Sequence, residues 1–241
     1  MSSSSPTTYG LLGLLAVRSW TGYELTRQVR RSLRFVWSVS DGHLYREQKR
    51  LVELGWATVE EEPAGRRSRK RYTITEAGRA ALAAWLETEP EEPHFQIEGV
   101  LRLFLGDQSS PEALVTTAQL TADASRAMLQ EMYGFATEYL EAGGPLSMLE
   151  AGVSGPEDVR REFHGRPMYV ERLHAVALAI DITTRLLATL EEFSRETAAE
   201  VARWPSTSDP SLTPATRRRL EAIIARTERT PGGPTTGEAR S

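Results

Sequence analysis

Cysteine is absent from the 241 residues, which excludes a disulfide framework, a thiolate metal site and a cysteine nucleophile together, and is compatible with a reducing cytosol. Histidine is scarce. His43, His94, His164 and His174 are the only four, and no two share the i, i+2 or i, i+4 spacing of a metal-binding pair. No apolar run approaches the roughly 20 residues of a membrane span. Met1 to Thr8 has neither the basic flank nor the apolar stretch of a signal peptide. There is no G-x-S-x-G, no phosphate loop and no G-x-G-x-x-G, and the carboxylates are scattered, so no enzyme, no cofactor and no metal is expected. Only Lys49 and Lys70 among the 29 basic residues are lysines; genome base composition alone can produce that bias, and it carries no functional weight. With 40% hydrophobic and 26% charged residues, the remainder reads as a soluble, cytoplasmic, globular protein with no membrane partner.

The charge present is unevenly placed. Residues 1–90 hold 14 Lys+Arg against 10 Asp+Glu, a net +4, whereas 91–241 hold 15 against 23, a net −8. An acidic chain therefore carries a cationic N-terminal module, which points towards a polyanionic partner.

Within that module the periodicity predicts a first helix over 9–19, with Thr7 and Thr8 as caps and residues 1–8 disordered. Thr21 caps a second helix, 22–33, whose Leu25, Val29 and Leu33 share one face while Arg27, Arg30, Arg31 and Arg34 form a stripe on another. Ser40 caps a third, from Asp41 to Leu54, with Leu44, Gln48, Leu51 and Val52 inward. Gln48 puts an amide on that inner face, which costs stability unless it finds a partner. A hairpin follows: WATVEEE (56–62), the turn Pro63-Ala64-Gly65, and a return strand whose first six residues include Arg66, Arg67, Arg69, Lys70 and Arg71. Five cations on a short ribbon repel one another unless a polyanion neutralises them. Thr75 caps a last helix. Helix–helix–helix–strand–strand–helix is the layout of a winged helix-turn-helix, residues 9–90.

After the linker 87–93, residues 94–204 read as helices only: a short one over 94–105, a long one from Pro111 to Ala142, and another from Pro167 to Trp204. In the last, Val170, Leu173, Ala177, Ile180, Thr184 and Leu187 alternate steps of three and four, the pattern of a coiled-coil seam. A helix of about 55 Å overhangs a domain of this size, and the economical cover is a second copy about a two-fold axis. Residues 205–241 read as a polar tail with one short helix over 216–228. The fold class expected is mainly α: an N-terminal winged helix-turn-helix with a two-stranded wing, then a helical dimerisation domain with two long helices.

LLGLLA (11–16), TGYEL (21–25), the S-x-S-x-G-x-LY run from Ser38 to Tyr45, KRL and ELG within 49–55, and YTITEAG (72–78) resemble the PadR family of bacterial transcriptional regulators. The resemblance is detailed over 8–90 and architectural over 95–204. It implies a homodimeric DNA-binding regulator, a repressor, on an inverted-repeat operator. Some members sense planar aromatic molecules, so a small aromatic or hydrophobic effector is implied too, with Phe95, Phe104, Met132, Phe135, Tyr139 and Phe163 as the aromatic and methionine side chains on offer. Arg46 and Gln48 stand where members commonly have proline and an apolar residue.

On this reading the third helix enters the major groove, where Arg46 suits guanine O6/N7; Ser38, Ser40 and Tyr45 suit phosphate oxygens; and His43, Lys49 and Arg50 complete the surface. Tyr45 has a second assignment, packing against the first helix. The arginine stripe crosses the phosphate backbone and the wing cations grip it. Two alternatives remain: a winged-helix module that docks an acidic protein without operator specificity, and a helical enzyme carrying the winged helix as an appendage. Trp56 and Trp85 are expected in the core, Trp20 and Trp37 exposed.

Overall fold

The computed structural model describes residues 5–35, 37, 39–64, 67–153, 162–164, 166–167 and 169–228. The chain divides into two compact units, 1–94 with 141–176, and 95–140 with 177–241. Residues 141–176 therefore group with the N-terminal module, not with the helical half as the sequence suggested.

The first unit begins with α1 (Pro6–Leu15), which starts three residues earlier than periodicity implied. Ser5 is its N-cap and Pro6 its first helical residue, where a missing N–H costs nothing. Thr7 and Thr8 are thus buried inside the helix, not caps, and 5–8 is ordered structure rather than a disordered end. A two-residue strand, β1 (Trp20–Thr21), precedes α2 (Gly22–Ser32), which opens with a capping box between Thr21 and Glu24. Next come α3 (Asp41–Glu53), capped by Ser40, then β2 (Ala57–Ala64), β3 (Arg67–Ile74) and α4 (Glu76–Leu86), capped by Thr75. The antiparallel sheet has order β1-β3-β2, so a third strand, unforeseen from sequence, props the wing against the helices.

Leu11, Leu12, Leu15, Leu25, Leu44 and Leu51 are fully buried between these helices, closed by Trp20, Tyr72 and Ile74 from the sheet. Trp20 is core, not exposed; its indole N–H reaches the Leu14 carbonyl at 2.8 Å. Trp85 stacks on Tyr9 with centroids 4.7 Å apart, and Trp56 flanks the same ring at 5.7 Å. Gln48, 1% exposed, has found its partners: its amide donates to the Gly22 carbonyl (3.2 Å) and the Thr26 hydroxyl (3.1 Å), tying α3 to the start of α2. Gly22 permits this, since a Cβ there would lie 2.8 Å from the Gln48 oxygen. The same unit includes α7 (Pro145–Glu150) after two helices described next, and a small hairpin of β4 (Glu162–Phe163) and β5 (Arg166–Pro167), where the sequence suggested no strands.

In the second unit, α5 (Glu98–Phe104) precedes α6 (Pro111–Leu140). The other long helix, α8 (Leu173–Val201), is 29 residues, or about 44 Å, shorter than expected because Val170–Arg172 is a 3-10 turn. Arg126 donates twice to Glu191, at 2.9 and 2.6 Å, and pins α6 to α8. The buried residues of the two helices mix small side chains, Ala118, Ala122, Ser125, Ser194, Thr197 and Ala198, with larger ones, Leu114 and Met132 on α6 and Leu187 and Val201 on α8. Finally α9 (Thr213–Glu228) has Arg219 paired with Glu200.

Two expectations about α8 change. Val170, Leu173 and Leu187 are buried within the single chain, Ile180 and Thr184 are half-buried, and Ala177 is exposed. That stripe largely faces the chain's own interior. The apolar stripe left exposed is another, Leu178, Ile182, Leu186 and Phe193. Moreover, the helical stretch Val170–Val201 is long and apolar enough to cross a membrane by length and composition, with a mean hydropathy of 1.4 in its best window. Asp181 and Arg185 interrupt its apolar run, and those two residues pair with each other one turn apart.

Candidate nucleic-acid interface

Helix α3 forms where it does because Ser40 is extended and its hydroxyl accepts from the His43 amide, while Leu44, Gln48 and Leu51 fix which side faces inward. The outer side then carries Tyr45, Arg46 and Lys49, all exposed, with His43 and Arg50 half-buried at its edge. Tyr45 is 45% exposed. Ser40 is exposed but its hydroxyl is engaged as the cap. Ser38 lies outside the described residues. Trp37, just before the helix, is exposed at its ring while its N–H donates to Thr7 Oγ1 at 2.9 Å.

The stripe on α2 is divided. Arg27 and Arg31 are exposed. Arg30 instead forms a fork with Asp41, the first residue of α3, with Nε to Oδ1 at 2.9 Å and Nη2 on Oδ2. The pair links α2 to the start of α3 and offsets part of the Arg30 charge there. The Arg34 guanidinium lies 4.4 Å over the Phe35 ring.

The wing differs from a bare cationic ribbon. Register places Glu60 opposite Arg71, Glu61 opposite Lys70 and Glu62 opposite Arg69. Opposite charges directly across an antiparallel pair stabilise it, so the ribbon neutralises itself in part without any polyanion. Arg71 is committed to the fold: it bonds Glu62, sits 3.8 Å from Glu24, and donates to the Ser19 carbonyl at 3.3 Å. The Arg71 hydrogen bond holds the Glu62 carboxyl below its ordinary range. Burial pushes Glu24 upward, but the Thr21 hydrogen bonds with Arg18 and Arg71 prevail and leave it lowered. Arg69 and Lys70 are exposed. Arg67 is placed on β3, opposite Ala64. Arg66 lies outside the described residues.

Sequence reasoning missed Glu47, which is buried on α3 and accepts the Thr8 hydroxyl. The signal was available: position 47 is three residues past Leu44 and four before Leu51, on the inner arc. Of the side chains offered for an effector, Phe95 and Phe104 are exposed, Met132 is buried, and Phe135 and Tyr139 are half-buried, all in the second unit. Phe163 belongs to the first. Among the described residues no group of three His, Asp or Glu could hold a metal ion.

Residues 11–84 match the model of the Transcriptional regulator PadR-like family. The chain is 23% identical over 175 residues to the Negative transcriptional regulator PadR of Bacillus subtilis (strain 168), covering 72% of this chain and 96% of that protein. Its fold is similar to that of smu.1604c from Streptococcus mutans UA159, with a TM-score of 0.61 at 18% identity over 80% of this chain and 98% of the other. It is also similar to Bacillus subtilis PadR in complex with operator DNA, with a TM-score of 0.58 at 19% identity over 80% and 98%.

Proposed function

Through residues 11–84 the chain belongs to the PadR-like family of DNA-binding transcriptional regulators, which are not enzymes, and from that premise we propose that it is a homodimeric repressor acting on an inverted-repeat operator inside the cell. The observation that carries the reading is the exposed row Tyr45, Arg46 and Lys49 on α3, in the same unit as a wing whose Arg69 and Lys70 face solvent. Helix α3 lies in the major groove, with Arg46 reading a guanine and His43, Lys49 and Arg50 beside it. Arg27 and Arg31 touch phosphates from α2, and Arg69, Lys70 and Arg67 do so from the wing. Repression is favoured by the likeness to a relative described as a negative regulator. The second copy covers the exposed stripe of α8, holding two α3 helices at a fixed spacing. A small aromatic or hydrophobic effector acting on the second unit releases the operator by favouring a dimer whose α3 helices no longer match successive grooves.

The test is footprinting on the DNA upstream of the protein's own gene, followed by gel shifts. Wild type protects a two-fold symmetric site. Arg46→Ala weakens binding and relaxes preference at one base pair, by about 1–3 kcal/mol. Arg69→Glu with Lys70→Glu weakens binding to all sequences alike and lowers the salt slope by about 2. A protein that prefers no duplex over random DNA at about 150 mM salt overturns the reading and leaves the docking module.

A further inference from the structure

Burying a carboxyl group is costly unless something holds it, and base reading by Arg46 does not itself require one at position 47. Glu47 is nevertheless 5% exposed. Its Oε2 accepts the hydroxyl of Thr8, from α1, and Thr8 Oγ1 is also 3.0 Å from Ser5 Oγ. Since Thr8 has one hydroxyl proton and gives it to Glu47, Ser5 is the donor in that second bond. The other carboxyl oxygen, Oε1, faces His43 Nε2 at 3.9 Å. The far nitrogen of the same ring, Nδ1, is 3.4 Å from Nη2 of Arg46.

The imidazole therefore stands between an acid and a cation, one at each nitrogen. A neutral ring has a single proton to place. On Nε2, it presents N–H to the carboxyl and a lone pair to the guanidinium. On Nδ1, it sets a lone pair against the carboxyl and an N–H against a cation. The first arrangement is better at both ends. We propose that Glu47 is a positioning residue for base reading: it holds His43 as the Nε2–H tautomer, which gives Arg46 an acceptor along the surface of α3 and fixes the direction of the guanidinium. This rests on the reading that α3 enters the major groove. A chain of hydrogen bonds and charges from Ser5 through Thr8, Glu47 and His43 thereby ties the cap of α1 to the side chain that reads DNA.

Two measurements on the full chain test it. Nitrogen-15 NMR of the histidine rings in the free protein is expected to report Nε2–H for His43. Glu47→Gln keeps an oxygen for Thr8 but turns an amide donor towards Nε2, so the tautomer is expected to reverse to Nδ1–H. In gel shifts, Glu47→Gln should cut discrimination at the base pair read by Arg46 about tenfold while leaving random-duplex affinity and the salt slope as they were. In an Arg46→Ala background the same substitution should do nothing more. If Glu47→Gln does not fold, the tautomer of the His43 ring in the wild type carries the test alone. An Nδ1–H ring in wild type, equal losses on every duplex, or an undiminished effect without Arg46 overturns the proposal. A wild type that binds no duplex sinks the groove reading and this role together. One that discriminates normally alongside an Nδ1–H His43 sinks the role of Glu47 alone.

Discussion

Replacing Ile182 and Leu186 together by glutamate is expected to yield a folded monomer by light scattering, with operator affinity reduced about 100-fold or more. Both side chains lie on the exposed stripe of α8 with Leu178, which is 72% exposed, and Phe193. Ile182 and Leu186 are 52% and 48% exposed in the single chain, so carboxylates at these positions can reach solvent there at a small cost in internal packing. In the proposed dimer they meet a second copy and are desolvated, which is prohibitive for unpaired charges. The loss in affinity follows because the second half-site is then no longer engaged by a tethered partner, and its effective concentration is lost. The monomer should remain soluble without detergent, which separates a helix awaiting its partner from one awaiting a bilayer. Leu187→Glu is the contrast. That side chain is buried in the chain itself, and the outcome should be loss of fold rather than dissociation. If the double variant still scatters as a dimer, the stripe is not the dimer surface.

Gly78→Ala should destabilise the first unit by about 3 kcal/mol, seen as a fall in melting temperature of about 6–12 °C. Gly78 is the third residue of α4, and its amide donates to the hydroxyl of the cap Thr75 at 3.0 Å. A Cβ at this position would stand 2.1 Å from the Trp56 carbonyl oxygen and 3.0 Å from Ile74 Cγ1. Backbone cannot swing aside as a side-chain end can, and that carbonyl already accepts from the Thr75 amide. Relief means moving α4 away from the start of β2. Gly13→Ala should have the opposite sign. It sits within α1 with nothing within 4 Å of the added methyl, so the helix gains up to about 1 kcal/mol. Equal melting temperatures for the two variants would contradict the packing described.

Much of the first unit was legible because local chemistry and burial agree there. Thr21, Ser40 and Thr75 each precede an apolar period and each caps a helix. The inward Gln48 was equally plain, whereas the turn expected at 63–65 was not: Pro63 and Ala64 pair with Ser68 and Arg67 at the end of β2, and Gly65 lies outside the described residues. At the start of α1 the sequence offers two caps, the threonines and Ser5 followed by Pro6, and the helix begins at the second. Strand β1 has two residues and no period to detect; only its pairing with Tyr72 and Arg71 defines it. In α8 the steps of three and four identify apolar stripes, but the helix has two of them, and periodicity is silent on which one meets its own chain. For the candidate interface, exposure of Arg46 and Lys49 followed from the helical wheel. The diversion of Arg30 and Arg71 did not, since their partners Asp41, Glu24 and Glu62 come from other elements.

The three glutamates of β2 bear on how long the protein lingers at the wrong address. A ribbon whose cations already have acidic neighbours brings fewer unbalanced charges to a duplex than its arginine count suggests, and fewer counterions are freed on contact. On the proposed reading its hold on arbitrary sequence is correspondingly brief, while the contribution assigned to Arg46 is untouched. Turning Glu60, Glu61 and Glu62 into glutamines would make a stickier protein but a slower searcher, detained along the genome by attraction that carries no information.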